Sequence, residues 1–160
     1  MADTHEDLDA FTNMANQLNL LHNKPDTLYT KEKVREWVFG ETPAFNARLV
    51  LIRDTYIGYV TFNDFFNSDA AGRGLWIGDL YIREDHQGRG YGRRLLAYMA
   101  AEAERRRALS IWWGVLSENI RARQFYASLD AKDEDARILE LEGAQNQKNG
   151  GAPPRSRPAP

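Results

Sequence analysis

Apolar residues recur every three to four positions near the start of the chain. The first set, which follows Asp7, comprises Leu8, Phe11, Met14 (or Ala15), Leu18 and Leu21. This period predicts an amphipathic helix that ends at the polar stretch leading to Pro25. A second, shorter helix is predicted after Thr30. Its buried face carries Val34, Trp37 and Val38, and Gly40 ends it.

The pattern then changes to short β-rich runs. Residues 47–52 and 56–66 are two such runs separated by Arg53-Asp54-Thr55, which predicts an antiparallel hairpin. After a polar loop, residues 75–82 are apolar at nearly every position. A strand with that pattern is expected to be covered on both faces, so it is predicted to lie at the centre of a sheet.

Helix and strand patterns alternate in the second half of the chain. A long helix is predicted up to Arg107. Its apolar face consists of Tyr91, Leu95, Leu96, Met99, Ala100 and Ala103, and the residues predicted to face away are Arg93, Arg94, Glu102, Arg105, Arg106 and Arg107. A strand over 110–116, a helix over 118–129 and a closing strand over 136–141 are predicted to follow. The alternation indicates an α/β (α+β) chain with a mixed sheet.

Composition limits the domain organisation and the partners. The chain has 160 residues and 42% hydrophobic composition, which suits one domain, predicted over residues 1–142. Residues 143–160 are rich in Pro and Gly and are predicted to be a disordered basic tail. The first 142 residues hold 18 basic and 23 acidic residues, a net charge of −5. This acidity favours a cationic small-molecule partner over nucleic acid, and the arginines near residue 106 are interpreted as a solvated helix end.

Other classes are disfavoured by what the sequence lacks. It contains no cysteine, so no disulfide, thiol nucleophile or cysteine-ligated metal is expected. The three histidines (His5, His22, His86) are scattered, and no metal site is predicted. No apolar run has the length needed to span a bilayer, so no membrane partner is expected, and the predicted location is the cytoplasm.

A glycine-rich segment joins the central strand to the long helix. It reads Gln87-Gly88-Arg89-Gly90-Tyr91-Gly92. Glycines let a backbone approach an anion, and the unpaired N–H groups of a helix's first turn point toward it. The segment lacks the Gly-Lys-Ser/Thr ending of a P-loop and the spacing of a dinucleotide fingerprint. The order of strand, glycines and helix predicts a pyrophosphate site of another kind.

Two motifs resemble those of the GNAT superfamily of N-acyltransferases. Gln87, Gly90 and Gly92 match its acyl-CoA signature [QR]-x-x-G-x-[GA], and the segment from Asn119 to Tyr126 matches N-x-x-[AS]-x-x-F-Y. The run Asp79-Leu80-Tyr81-Ile82 is similar to the D-[LF]-[YF]-[VI] of the small-amine branch that includes the diamine (spermidine/spermine) acetyltransferases. The resemblance covers roughly residues 7–141.

The resemblance implies a GNAT fold, with a splayed mixed sheet of about six strands and about four helices, two of which overhang the acceptor site. It implies acetyl-CoA as co-substrate, a small amine as acceptor and direct transfer without a metal. The implied donor-binding residues are Leu80, Tyr81, Ile82, Gln87, Gly88, Arg89, Gly90, Tyr91, Gly92, Arg93, Asn119 and Tyr126. Tyr126 is the implied acid for the leaving thiolate, and Asp79 and Glu118 are the candidates for deprotonating the amine, directly or through water.

The chain departs from the family pattern at two places. The diamine enzymes carry a glutamate just before the aspartate, where this chain has Gly78, and no β-pattern precedes the first helix. On a regular strand Asp79 would face away from that glutamate's position, so its catalytic use requires a bulge at Gly78. A protein lysine or N-terminal acetyltransferase, an inactive acyl-CoA-binding relative and a homodimer remain alternatives.

Overall fold

The structure is a computed structural model that describes residues 5–140. The chain divides after Gly114 into two compact units, each described by itself. The first unit contains α1 (His5–Leu21), α2 (Lys31–Phe39), β1 (Asn46–Ile52), β2 (Thr55–Asn67), β3 (Gly72–Ile82), a 3-10 turn (Glu84–His86), α3 (Tyr91–Arg105) and β4 (Ser110–Trp113). The second contains α4 (Ile120–Ala127). The predicted boundary at residue 142 lies outside the described residues, as does the predicted tail, and both stay predictions.

Local signals set the first two helices. The apolar stripe of α1 is buried at Leu8, Phe11 and Met14, as predicted, whereas Leu21 is exposed at the end of the helix. Thr30 caps α2 by accepting the backbone N–H of Lys33, and Gly40 ends the helix. A threonine cap satisfies one of the backbone donors that a helix start leaves unpaired.

The sheet has the order β1-β2-β3-β4. The β1–β2 pair forms the predicted antiparallel hairpin, β2 and β3 are also antiparallel, and β3 and β4 are parallel. No strand precedes α1 within residues 5–140, so β1 is an edge of the described sheet. The predicted strand count was slightly too high, because the part of the chain that the structure describes contributes four strands.

Two predicted strand segments differ from the structure. The segment 110–116 is a strand only as far as Trp113. This residue pairs with Ile77, and the pairing of β3 becomes irregular directly after Ile77. Residues 136–140 form no strand, and Leu141 lies outside the described residues. Ile138 and Leu139 are 70% and 90% exposed, so their alternating pattern has no described neighbour to pair with.

The first unit has a buried cluster on each face of the sheet. On one face, α1 and α2 cover Ala47, Tyr59 and Tyr81. On the other, α3 covers an apolar cluster that includes Val60, Phe62, Leu75, Ile77 and Ile82. Each large apolar side chain that is fully buried stabilises the fold by about 1.5 to 3 kcal/mol. The two clusters fix β3 between them, which positions the site described below.

The C-terminal end of α3 corrects the interpretation of the arginines. The helix ends at Arg105 rather than Arg107, and Glu102, predicted to face solvent, is 6% exposed. Arg106 pairs with Glu102 at 2.6 Å and with Asp64 of β2 at 2.7 Å, while its guanidinium lies 5.0 Å from the ring centroid of Phe62. This cluster ties α3 to the sheet, whereas Arg105, with 64% of its side chain exposed, and the exposed Arg107 fit the predicted solvated helix end.

Candidate active site

A β-bulge interrupts the central strand. Val60 pairs with Leu80 and Phe62 pairs with Ile77, so that Thr61 alone stands opposite Gly78 and Asp79. A β-bulge is defined by two residues of one strand that lie opposite a single residue of the neighbouring strand. The bulge that the sequence required at Gly78 is therefore present.

The bulge decides which face of the sheet Asp79 occupies. Side chains of a regular strand alternate between faces, so Ile77 and Asp79 would otherwise share one face. Here Ile77 packs in the cluster under α3, whereas Tyr81, two residues after Asp79, packs in the cluster under α1. The extra residue thus turns the carboxylate of Asp79 toward the α1 side.

Two side chains of β2 hold Asp79. Its backbone N–H donates to Thr61 Oγ1 at 2.8 Å, and the hydroxyl of Tyr59 donates to its Oδ2 at 3.4 Å. Burial raises the pKa of Asp79 above its ordinary value, although the hydrogen bonds from Tyr59 and Thr61 act in the opposite direction. A carboxyl with a raised pKa is a better base than an exposed aspartate.

Gly78 leaves open surface beside this carboxylate. The glycine itself is exposed. A Cβ at this position would lie 2.9 Å from Thr61 Oγ1, the atom that holds the Asp79 N–H. Glycine is therefore required by the hydroxyl across the strand, and it keeps the approach to Asp79 free of a side chain.

Beyond the bulge, β3 has an unpaired edge. Its parallel ladder with β4 ends at Ile77 and Trp113, and within residues 5–140 the segment 80–82 pairs with β2 alone. Tyr81 and Ile82 are buried, and Leu80 packs against the cluster under α3. The side chains of this segment are therefore used in packing, and the backbone is what it offers to a ligand laid along the edge.

The glycine loop follows this strand. Gly88 and Gly90 have φ of +74° and +81°, and a Cβ on either would meet no atom within 4 Å. Among the described residues, the N–H groups of residues 88–92 donate to no backbone carbonyl. Open space with backbone donors at the start of a 15-residue helix fits a pyrophosphate, and the exposed Arg89 and Arg93 add positive charge.

The side chain of Gln87 contacts the end of β3. Its Nε2 donates to the carbonyl oxygen of Ile82 at 2.8 Å. The side chain thus joins the end of β3 to the loop, and it contributes to the site by positioning the glycines.

The second unit carries the remaining candidates. Asn119 is the N-cap of α4, accepting the N–H of Ala122 at 3.1 Å, which is the helix-capping role. Tyr126 lies on the same helix, and its partial burial raises the pKa of the phenol. Glu118 is exposed and accepts the hydroxyl of Ser117 at 3.1 Å.

The sequence reasoning missed Tyr59, Thr61 and Gln17 as partners of the site. Tyr59 and Thr61 bind Asp79, and Gln17 Oε1 accepts the hydroxyl of Tyr81 at 3.2 Å. Thr61 is a polar residue within an apolar run, two residues from Tyr59 and so on the same strand face. That pattern is a signal in the sequence, but only the register shows that both side chains meet Asp79.

Residues 5–140 bring together no group of three or more His, Asp or Glu side chains that could hold a metal ion. None of the helices in this range combines the length and the apolar character needed to cross a bilayer.

An opened, bulged central strand followed by a glycine loop and a helix N-terminus defines an acyltransferase type of α/β domain. A model of the acetyltransferase (GNAT) family matches residues 9–130. The chain belongs to this family and is an acetyltransferase. Enzymes of this family use acetyl-CoA, and the loop geometry described above fits that donor.

Two curated relatives act on small amines according to their names. The chain is 27% identical to the thialysine N-epsilon-acetyltransferase of Bos taurus over 122 residues, which cover 71% of this chain and 69% of that protein. It is 31% identical to the L-ornithine N5-acetyltransferase of Arabidopsis thaliana over 75 residues, or 47% of this chain and 33% of that protein. The spermidine/spermine branch suggested by the sequence stays a prediction.

Solved structures share the fold. An integron cassette protein from V. cholerae aligns with a TM-score of 0.73 and 19% identity, covering 87% of this chain and 88% of that chain. A ribosomal-protein-alanine N-acetyltransferase from Brucella melitensis aligns with a TM-score of 0.70 and 18% identity, covering 86% and 94%. At these identities the likeness concerns the fold alone.

Proposed function

We propose that the chain transfers an acetyl group from acetyl-CoA to the primary amine of a small molecule, with Asp79 accepting the proton of the amine. The observation that carries this proposal is the bulge. It turns a partly buried carboxylate to the α1 side, beside the open surface of Gly78 and next to the unpaired edge of β3. The names of the thialysine and ornithine relatives support a small-amine acceptor.

The donor-binding residues act through their backbone. Acetyl-CoA supplies a thioester carbonyl that an amine attacks directly. Residues 80–82 offer backbone groups along the open edge of β3, and the N–H groups of residues 88–92 would hold the pyrophosphate. Gln87 keeps this loop joined to Ile82.

Asp79 is favoured over Glu118 as the proton acceptor. An ammonium must lose a proton before it can attack, and proton transfer is more efficient when the pKa of the base is closer to that of the acid. Burial raises the pKa of Asp79, whereas Glu118 is exposed. Asp79 takes the proton directly or through a water molecule.

Tyr126 is proposed as the acid that protonates the leaving thiolate. Because burial raises the pKa of its phenol, the group carries its proton at neutral pH and can donate it. No covalent intermediate on the protein is required, in keeping with a chain that has no cysteine.

The test combines an acceptor screen with a pH profile. Acetyl-CoA consumption is measured with diamines, diamino acids, aminoglycosides and peptides, and turnover of peptides alone would replace the small-amine assignment by a protein acceptor. On the best acceptor, Asp79→Asn should lower kcat/KM by about 100-fold and remove the acid limb of its pH profile. Glu118→Gln is the matched control and should retain the parent profile. An Asp79→Asn variant within twofold of the parent would contradict the assignment of the base.

A further inference from the structure

A polar groove runs along α1 on the same side of the sheet as Asp79. Its volume is about 550 Å³, and its lining includes Asn13, Gln17, Leu20, Asp26, Asp54 and Arg83. This size is within the range of small-molecule sites, roughly 300 to 1,000 Å³. All of these residues belong to the first unit.

The groove is held open by hydrogen bonds from α1. Asn16 donates to the carbonyl of Tyr29 at 2.9 Å and accepts its N–H at 3.0 Å, which ties the segment containing Asp26 to the helix. Arg83 is fixed at the other wall, where its backbone N–H donates to the carbonyl of Ile57 at 2.8 Å.

Charges of both signs line the groove. Among the described residues, the carboxylates of Asp26 and Asp54 have neither an ion-pair nor a hydrogen-bond partner. Within residues 5–140, the guanidinium of Arg83 pairs with the exposed Asp85 alone, through its Nε at 3.4 Å, so its terminal nitrogens are available to a carboxylate. Two unpaired anions and one guanidinium in one cavity complement a ligand that carries both an ammonium and a carboxylate.

One lining residue of the groove contacts the strand that carries the proposed base. Gln17 lines it and accepts the hydroxyl of Tyr81, which follows Asp79 by two residues on the same face of β3. Arg83 follows Tyr81 by two more, so at roughly 3.3 Å per residue its Cα lies about 13 Å from that of Asp79. An extended diamino acid with a hydrogen bond at each end spans a comparable distance.

We propose that this groove binds the α-amino and α-carboxylate groups of a diamino acid, whose side-chain amine then reaches Asp79. Asp26 and Asp54 would bind the α-ammonium, and Arg83 the α-carboxylate. The assignment rests on the proposed function and names its acceptor class. A simple diamine would use the two aspartates and would leave Arg83 without a ligand.

Matched acceptors test the role of Arg83. kcat/KM is measured for L-ornithine and L-lysine and for their decarboxylated counterparts putrescine and cadaverine. Arg83→Gln should lower kcat/KM for the amino acids by about tenfold or more, through KM, and leave the diamines within twofold. Arg53→Gln, an arginine of the neighbouring turn outside the groove lining, should change neither class.

Variants of the two aspartates provide a second test on the same acceptors. Asp54→Asn and Asp26→Asn should raise KM for both acceptor classes, because both carry an ammonium. An unchanged ratio of amino-acid to diamine kcat/KM in Arg83→Gln would overturn the inference. A raised KM for acetyl-CoA with equal losses on both classes would also overturn it, because Arg83 would then act on the donor.

A binding measurement separates this inference from the proposed function. L-ornithine without acetyl-CoA is titrated into the parent protein and into Arg83→Gln by NMR, and the groove resonances of the parent should shift more strongly. If the parent acetylates diamines but its groove does not respond to L-ornithine, the inference fails and the proposed function stands. If the groove responds but no amine is acetylated, the function fails and the binding site stands.

Discussion

The pair formed by Gly78 and Thr61 provides the sharpest test of the site. A Cβ at position 78 would stand 2.9 Å from Thr61 Oγ1, and its next neighbour is Thr61 Cβ at 4.0 Å. Thr61 is 6% exposed, so its hydroxyl has little room to move. Gly78→Ala should therefore displace the oxygen that accepts the N–H of Asp79 at 2.8 Å.

The loss in the free energy of unfolding follows from that single hydrogen bond. A buried N–H left without a partner costs about 1 to 3 kcal/mol, so both Gly78→Ala and Thr61→Ala should lower the free energy of unfolding by that amount. In Thr61→Ala the hydroxyl is already absent, and the Cβ added at position 78 then has only an ordinary van der Waals contact, 4.0 Å from the Cβ of residue 61. The double variant should be no less stable than Thr61→Ala alone, which gives a favourable coupling of about 1 to 2 kcal/mol.

Urea denaturation of the parent, both single variants and the double variant measures this coupling. Thr61→Ser is the control, since it keeps the hydroxyl and should keep both the stability and the sensitivity to Gly78→Ala. kcat/KM should fall in each single variant, because the direction of Asp79 depends on the same contact. The reasoning would be refuted if the losses in unfolding free energy of the two single variants summed to that of the double variant within about 0.5 kcal/mol.

Three further predictions concern other parts of the chain. Gly90→Asn should have the melting temperature of the parent, since asparagine tolerates a φ of +81°, while its added Cβ should raise KM for acetyl-CoA about tenfold. An unchanged KM would contradict the pyrophosphate assignment. Tyr126→Phe should retain KM and lose about 100-fold in kcat, and a kcat within twofold of the parent would make Tyr126 a packing residue. The arginines beside Glu102 hold the pKa of its carboxyl at about 2, below the value of 4.5 expected in the unfolded chain. The carboxylate therefore stabilises the fold fully at a pH above 4.5, and this stabilisation is lost as the pH falls toward 2. Glu102→Gln should therefore cost about 3 kcal/mol at pH 7, and progressively less in acid, by urea denaturation, with the exposed neighbour Glu104→Gln as control; a cost independent of pH would refute it.

Local patterns in the sequence predicted most of the elements. The period of Leu8, Phe11 and Met14 predicted α1, and Thr30 and Gly40 predicted the limits of α2. The glycines at 88 and 90 were predicted to form an anion-binding turn, and both adopt the positive φ that glycine allows. These features depend on neighbours within a few residues, so the sequence contains them without reference to the rest of the fold.

Long-range contacts decided what the local patterns left open. The helical period predicted that Glu102, as a charged residue, would face solvent. It is buried instead, because its partner Arg106 also binds Asp64, which is 42 residues away. The alternating residues 136–140 form no strand, because alternation states which side chains share a face and does not supply a pairing partner.

The site shows the same division. The sequence offered Asp79 as a candidate base, and it marked Gly78 as the place where the catalytic use of Asp79 would need a bulge. The register of β2 against β3 then determined that Thr61 stands opposite both residues, and so which face of the sheet the carboxylate occupies. Register is a property of two strands together, and a shift of one residue moves every side chain to the other face, so only the tertiary structure decided the direction of Asp79.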